Sequence, residues 1–480
     1  SCLRDWVLLS KITKQLQYIW SMEISGISSV IIFIFWGLVA AALLFAAVTS
    51  FREGETMPGR KLLAASGVAL IVALTLGYVD FPGKMVLAGV FVIVMMAGVY
   101  LFFRNPLSGP TGQGTPRLNV DEADTMFARM ELLAGSPEFE SYYADNPGKA
   151  REDARARSLP GLLSAGSLYH NPVLFQETDV NFGLIKYLRQ ANKKLSETDY
   201  DPGSRGGKGT RDTDPVWLSR YLKKRAVQLG AHSAGITRIH DYHLYTRRGR
   251  GEARGRPVKM LHTHAIAFTV EMDFDSVRTA PAAPVTLESS RQYLNSATLA
   301  LELAGLLQRL GYAARAHIDG DYELICPLVA RDAGLGEIGR MGVLMTPRLG
   351  PRVRIAVVTT DAPLLADMYK PDPTMIEFCR ICKKCADCCP GKSIPQGDME
   401  EAGGVMRWKI DAESCYRYWC IAGTDCGRCM AVCPFSHPDN VMHNVIRRFI
   451  RRSGLMVKLA LVGDDLLYGR RPKPTPPSEE

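Results

Sequence analysis

The sequence predicts an α/β or α+β soluble region, carried behind three membrane-spanning helices and followed by a compact cysteine-rich metal-binding segment. Three observations predict it. The longest apolar runs of the 480-residue chain crowd into its N-terminal part, ten of its twelve cysteines fall between Cys379 and Cys433, and helical and strand patterns mix between these regions.

In residues 24–51 no side chain is charged, and the run is long enough to cross a bilayer; residues 62–79 and 85–103 repeat the pattern. The Pro82-Gly83 pair in the link 80–84 fits the tight turn of a helical hairpin. Residues 1–104 are therefore read as a multi-pass membrane region in contact with the lipid bilayer. Arg4, Lys11, Lys14 and Lys84 near one face balance Arg52, Arg60, Lys61 and Arg104 near the other, so basic residues do not orient the helices. The first fifty residues hold no twin-arginine pair, the signal a cofactor-loaded domain needs for export. The soluble part is thus expected on the cytoplasmic side of a bacterial inner membrane.

Residues 105–118 form a Pro/Gly-rich linker, and 201–212 a glycine-rich surface loop. In the region 119–370, residues 289–310 read as a helix stopped by Gly311, and Val353–Thr360 reads as a buried strand. Residues 260–270 end in a β-rich run. The segment 371–455 carries the cysteines, and 456–480, with Pro472, Pro474, Pro476 and Pro477, is expected to end in a disordered tail. The net charge of +9 comes with no helix-turn-helix or RNP-like motif, so no nucleic acid is expected; anionic substrates, acidic electron donors and anionic lipids all suit it.

Cys379, Cys382, Cys385 and Cys389, followed by Pro390, match C-x2-C-x2-C-x3-C-P. In that pattern three thiolates serve one [4Fe-4S] cluster and the fourth serves another. Cys426, Cys429 and Cys433, followed by Pro434, form a second set with Gly423 where its first cysteine would stand. The missing ligand must come from upstream, where both Cys415 and Cys420 are available. Ferredoxin-like crossing assigns Cys379, Cys382, Cys385 and Cys433 to one cluster. It assigns Cys389, Cys426, Cys429 and the upstream cysteine to the other, leaving Cys388 spare.

Several stretches resemble the corrinoid-dependent reductive dehalogenases: Asp124-Thr125-Met126-Phe127-Ala128-Arg129-Met130, Leu159-Pro160-Gly161-Leu162-Leu163-Ser164 and Arg278-Thr279-Ala280-Pro281-Ala282-Ala283-Pro284. Ala333-Gly334-Leu335-Gly336-Glu337, Thr346-Pro347, Gly350-Pro351-Arg352, Tyr418-Trp419 and Gly423-Thr424-Asp425-Cys426 extend the likeness over roughly residues 121–438. The resemblance implies a nitroreductase-like core binding cobalamin, a ferredoxin-like domain with two [4Fe-4S] clusters, and Cys415 as the upstream ligand. It implies replacement of a halogen by hydrogen on an organohalide, with halogenated aromatics foremost. Co(I) supplies the reducing power, fed by the clusters from an external ferredoxin-, flavodoxin- or quinol-linked donor.

Carried onto this chain, the resemblance implies Tyr293 as proton donor, Arg352 as the cation favouring its ionised form, and Asp319 where the family has an asparagine. It further implies that Gly334, Leu335, Gly336 and Glu337 line the corrinoid pocket. A carboxylate at 319 would repel an anion, which bears on the substrate. Asp241-Tyr242-His243 begins the cobalt-ligating Asp-x-His-x-x-Gly pattern, but Thr246 replaces its glycine, so no protein ligand to cobalt is expected. An epoxyqueuosine-type corrinoid reductase and a membrane-bound ferredoxin-like electron carrier are the alternatives.

Overall fold

The computed structural model describes residues 2–79, 83–105, 114–117, 119–197 and 213–477. The turn at 80–84, the linker at 105–118 and the loop at 201–212 lie wholly or mainly outside them. The chain forms two compact units, one of residues 1–106 with 440–470, the other of residues 107–439 with 471–480.

The first unit contains three helices, α1 (Cys2–Arg52), α2 (Thr56–Tyr78) and α3 (Lys84–Phe103), and each is long and apolar enough to span a membrane. Hydrocarbon offers no hydrophobic drive between helices, so close approach by small residues does the packing. Ala69, Ala73 and Gly77 give α2 such a buried stripe. A Cβ on Gly77 would come within 2.4 Å of the Phe33 ring, and Ser66 Oγ donates to Ala40 O at 2.9 Å.

Residues 440–470 also belong to this unit, in the helices Val441–Ile450 and Gly454–Tyr468. Residues 440–455, expected with the cysteine-rich segment, group here with the apolar helices, and the segment before the proline-rich tail is helical. Lys61 Nζ donates to Leu466 O at 2.7 Å, closing the C-terminus of the last helix with a cation. Phe102 and Phe449 meet with ring centres 5.8 Å apart.

The second unit is α+β. Its main sheet runs β1 (Ser233–Arg238), β2 (His264–Glu271), β6 (Val353–Thr360), β3 (Ala314–His317), every neighbour antiparallel. β4 (Glu337–Ile338) and β5 (Leu344–Met345) make a separate short pair. Side chains alternate across a strand, and β2 has both faces covered. Ile266, Phe268 and Val270 join a core with Ala297, Ala300, Leu303 and Leu307 of the helix Ala283–Arg309. Ala265 and Ala267 join Val329, Ala330 and Ala333, in and just after the short helix Cys326–Asp332. The long helix starts with Pro284 in its first turn and stops where Gly311 takes a φ of 93°.

Candidate functional site

Opposite ends of this framework meet at a cavity of about 220 Å³. Tyr293 reaches it from the long helix, Arg354 and Ile355 from β6, Cys326 and Pro327 from the start of the short helix with Tyr322 just before it, and Tyr245, Leu344 and Met430 add to the wall. The lining is apolar apart from three phenols, one thiol and one guanidinium.

Burial raises the Tyr293 pKa, opposed by Arg354 and assisted by Asp319 and Asp425. The Arg354 guanidinium lies 4.8 Å from the centre of the Tyr293 ring. Arg354 Nη2 donates to Asp425 Oδ2 at 2.9 Å, and the other oxygen of that carboxylate accepts from Thr286 Oγ1 at 3.0 Å. Ser289 Oγ donates to Asp425 as well. Asp425 is thereby fixed by the helix that carries Tyr293, and it fixes Arg354 in turn. Arg354 Nε is buried and has no partner.

Arg352, the arginine expected beside Tyr293, is elsewhere. It sits in the turn just before β6, where its Nε donates to Ser436 O at 2.8 Å, its Nη1 to Met272 O, and Glu271 pairs with it at 2.8 Å. It is 1% exposed and does not line the cavity. The arginine at the phenol is Arg354, two residues on, whose guanidinium is free of the turn.

Asp319 does not line the cavity either. Its Oδ2 pairs with Arg189 Nη2 at 3.0 Å, so the repulsion expected of a lone carboxylate is offset. Gly320, at a φ of 72°, makes room for this pair, since a Cβ there would stand 2.1 Å from the Arg189 guanidinium.

None of Gly334, Leu335, Gly336 and Glu337, expected at the corrinoid pocket, lines this cavity. Gly336 lets the backbone close on Met345 O, Leu335 is core, and buried Glu337 accepts from Tyr369 Oη at 2.8 Å and Asp372 N at 2.7 Å. The loop shapes the β4–β5 pair and ties down the segment at 369–372.

His243 is fully buried with both ring nitrogens engaged: Nδ1 accepts from His240 N at 3.2 Å and Nε2 lies 2.9 Å from Asp332 Oδ2. Burial lowers its pKa, so the ring is neutral and donates to the carboxylate.

The cysteines gather into two groups. Cys379, Cys382, Cys385 and Cys433 line one small cavity with Met341 and Phe378. Burial pushes the Cys385 and Cys433 thiols well up; Cys379 and Cys382 add to both, and Cys429 adds to Cys385 as well. Cys389, Cys415, Cys426 and Cys429 form the second group. Burial raises Cys415 to about 11, with Cys389 adding to it, and Cys429 to about 12, with Cys415 and Cys389 adding. Cys420 instead bonds Tyr416. Among the described residues no three ligating side chains converge on a point, as a single metal ion would require. A cubane differs from an ion: its thiolates stand outside an Fe4S4 cage and apart from one another.

Arg340 adjoins the first group. It is fully buried, donates to the carbonyls of Cys379, Pro395, Gly397 and Arg380, and stacks 4.7 Å from the Trp408 ring centre. Among the described residues no carboxylate forms a salt bridge with it. Arg354, Arg340, Tyr245, Tyr322 and Met430 were not singled out in the sequence. A charged residue inside the buried run of β6 was the available signal for Arg354.

No family model matches the chain. The tetrachloroethene reductive dehalogenase of Desulfitobacterium hafniense is 37% identical over 194 residues, 38% of this chain and 34% of that protein. The tetrachloroethene reductive dehalogenase of Sulfurospirillum multivorans is 28% identical over 365 residues, 67% of this chain and 70% of that protein. Among solved structures, the catabolic reductive dehalogenase NpRdhA superposes with a TM-score of 0.60 at 25% identity, over 77% of this chain and 49% of its own. The chain is thus similar in sequence and in fold to reductive dehalogenases. It spans about a third of the length of the Desulfitobacterium relative it matches.

Proposed function

We propose that the chain is a membrane-anchored reductive dehalogenase that replaces a carbon-bound halogen by hydrogen, with Tyr293 as proton donor. The observation that carries this reading is a buried phenol under a guanidinium, at the wall of an apolar cavity, with the guanidinium held by the residue that precedes Cys426. A corrinoid is far larger than this 220 Å³ cavity, so the cavity would be only the part of its site where a substrate meets it; there the walls are apolar, the orphaned Arg354 Nε offers a donor to an acceptor-rich guest, and His243 is committed elsewhere. When bound, the corrinoid would supply a strongly reducing metal centre, and two [4Fe-4S] clusters held by the two cysteine groups would carry electrons from an external low-potential donor.

The protein's own part follows from the side chains. Tyr293 stays protonated at neutral pH because burial disfavours its anion, so it holds a proton ready for the carbon that loses halide. As that proton leaves, negative charge develops on the phenol beside Arg354, where a fixed cation stabilises it without reorganisation. Leu344, Ile355 and Met430 keep water from the reacting atoms. The three tyrosine rings favour a flat aromatic guest, and the organohalide class accords with the relatives.

A cytoplasmic position for the catalytic unit is part of the proposal. Arg447, Arg448, Arg451 and Arg452 join the anchor unit, with Arg448 against Phe102 at the C-terminal end of α3. They add positive charge to the end from which the chain leaves the membrane.

The test is halide release by the reduced, cobalamin-reconstituted chain from a bromophenol and from tetrachloroethene. Release from either supports the reading. Turnover of an epoxyqueuosine-containing tRNA without halide release would assign the alternative reductase, and iron–sulfur absorption with no corrinoid uptake would assign an electron carrier.

A further inference from the structure

The last helix of the anchor unit, Gly454–Tyr468, shows an apolar stripe that the catalytic reading does not use. Leu455, Leu459, Val462 and Leu466 are each more than half exposed, at 61%, 54%, 66% and 71%. Their spacing of four, three and four residues puts them on one face, while Val457 and Leu461 on the other face are buried. Val445 and Ile446 add exposed apolar surface on the preceding helix. With 15 residues the helix is too short to cross a bilayer, which takes about 20.

Arginines lie beside this stripe, at the end of α3. Arg448 Nε donates to Phe102 O at 2.8 Å, Arg104 Nη1 donates to Arg452 O at 3.3 Å, and Arg452 Nη1 donates to Arg448 O at 3.0 Å. Arg452 is only 6% exposed, yet its Nε is buried without a partner. Among the described residues no carboxylate forms a salt bridge with Arg448 or Arg452. Burial lowers the Arg452 pKa, and Arg448 and Arg451 lower it further by repulsion. Arg448 and Arg452, at the end of a membrane-spanning helix, stand at the depth of lipid headgroups.

We infer that residues 441–468 form an interfacial element of the anchor, with the Leu455–Leu466 stripe in the acyl boundary and Arg448 and Arg452 holding the headgroup of an anionic phospholipid. Two features choose lipid over a protein partner. The stripe belongs to the same compact unit as α1–α3, and its flanking charge is complementary to headgroup phosphate.

The test uses the full chain in nanodiscs of phosphatidylcholine containing a minority of phosphatidylglycerol. A membrane-confined carbene probe is expected to label Leu455, Leu459, Val462 and Leu466 but spare Val457 and Leu461. Phosphatidylglycerol should be enriched over phosphatidylcholine in the detergent-extracted protein. Arg448→Gln and Arg452→Gln should each reduce that enrichment about fivefold, the weight of one cation near an anionic surface. Unchanged labelling of α1–α3 verifies that the variants fold, and Leu459→Glu should lose the helix label alone. Absence of label on the helix while α1–α3 react would overturn the inference. So would unaltered enrichment in both arginine variants, displacement of the lipid by inorganic phosphate, or photo-crosslinks from position 459 to a second copy of the chain instead of to lipid.

Discussion

The two cysteine groups are drawn from the same short spacings yet sit in different electrostatic surroundings. Cys379, Cys382, Cys385 and Cys433 stand in a dry enclosure whose neighbours are cations: Lys384, fully buried, lies in its wall, and Arg340 hangs on the carbonyl of Cys379. Cys389, Cys415, Cys426 and Cys429 are less enclosed, and their charged neighbours are mixed: Asp425, paired with Arg354, directly precedes Cys426, while buried Arg428 stands beside Cys388 and Cys426. A cluster gains negative charge when reduced, so nearby cations ease its reduction and nearby anions resist it. The difference teaches that sequence spacing chooses ligands while the surrounding fold sets the driving force between them. It also ties the second group to the cavity, since Asp425 orients Arg354 and Met430, next to Cys429, lines the wall.

The largest effect should come from removing a ligand of the second group. Cys415→Ser is expected to cost about half of the bound iron and all detectable turnover, while Cys420→Ser keeps both; iron analysis and electron paramagnetic resonance would read this, and the opposite pattern would exchange their roles. Next comes Tyr293→Phe, which should lower kcat by roughly 10²–10⁴ with cluster spectra intact. Unchanged turnover would remove the phenol from the chemistry.

The paired arginines sharpen the comparison further. Arg354→Gln should lower kcat about 10²-fold, within the range of a lost charge-stabilising donor. Arg352→Gln should act through thermal stability, because its partners are the carbonyls of Ser436 and Met272 and the Glu271 carboxylate. A melting curve beside a kinetic assay separates the two. The pH profile gives an independent check. Burial holds the Tyr293 pKa above the ordinary phenol value of 10.0, so the alkaline loss of activity should lie above that value. Arg354 lowers this pKa, so Arg354→Gln should move the alkaline limb upward. The same raised pKa contributes stability that is present below pH 10 and fades as pH rises through the folded value.

The smallest effect is expected from Arg340→Gln. Loss of that cation should shift the reduction equilibrium of the first group about tenfold toward the oxidised form, roughly 59 mV for one electron. A redox titration followed by electron paramagnetic resonance should show the second group unmoved. Equal shifts in both would mean that Arg340 does not distinguish them.

The apolar helices were legible because membrane spanning demands long uncharged runs, and β6 because a strand covered on both faces reads as continuous apolar sequence. The site was harder to read. Arg352 and Arg354 differ by two positions, and which one meets Tyr293 depends on where the turn ends and the strand begins, a matter of backbone hydrogen bonds to Leu349 and Glu271. The glycine loop at 334–337 could not be read from sequence alone, because small residues serve close backbone packing as readily as ligand approach. The last helix was legible in principle, since its apolar stripe at 455, 459, 462 and 466 follows helical spacing.

That helix alters how the protein is fastened. The chain leaves the first unit after residue 106, returns to it at 440 and leaves it again at 471, so the two units are joined at three points of the chain. A proteolytic cut in the linker alone, or near residue 440 alone, would leave the second unit covalently held.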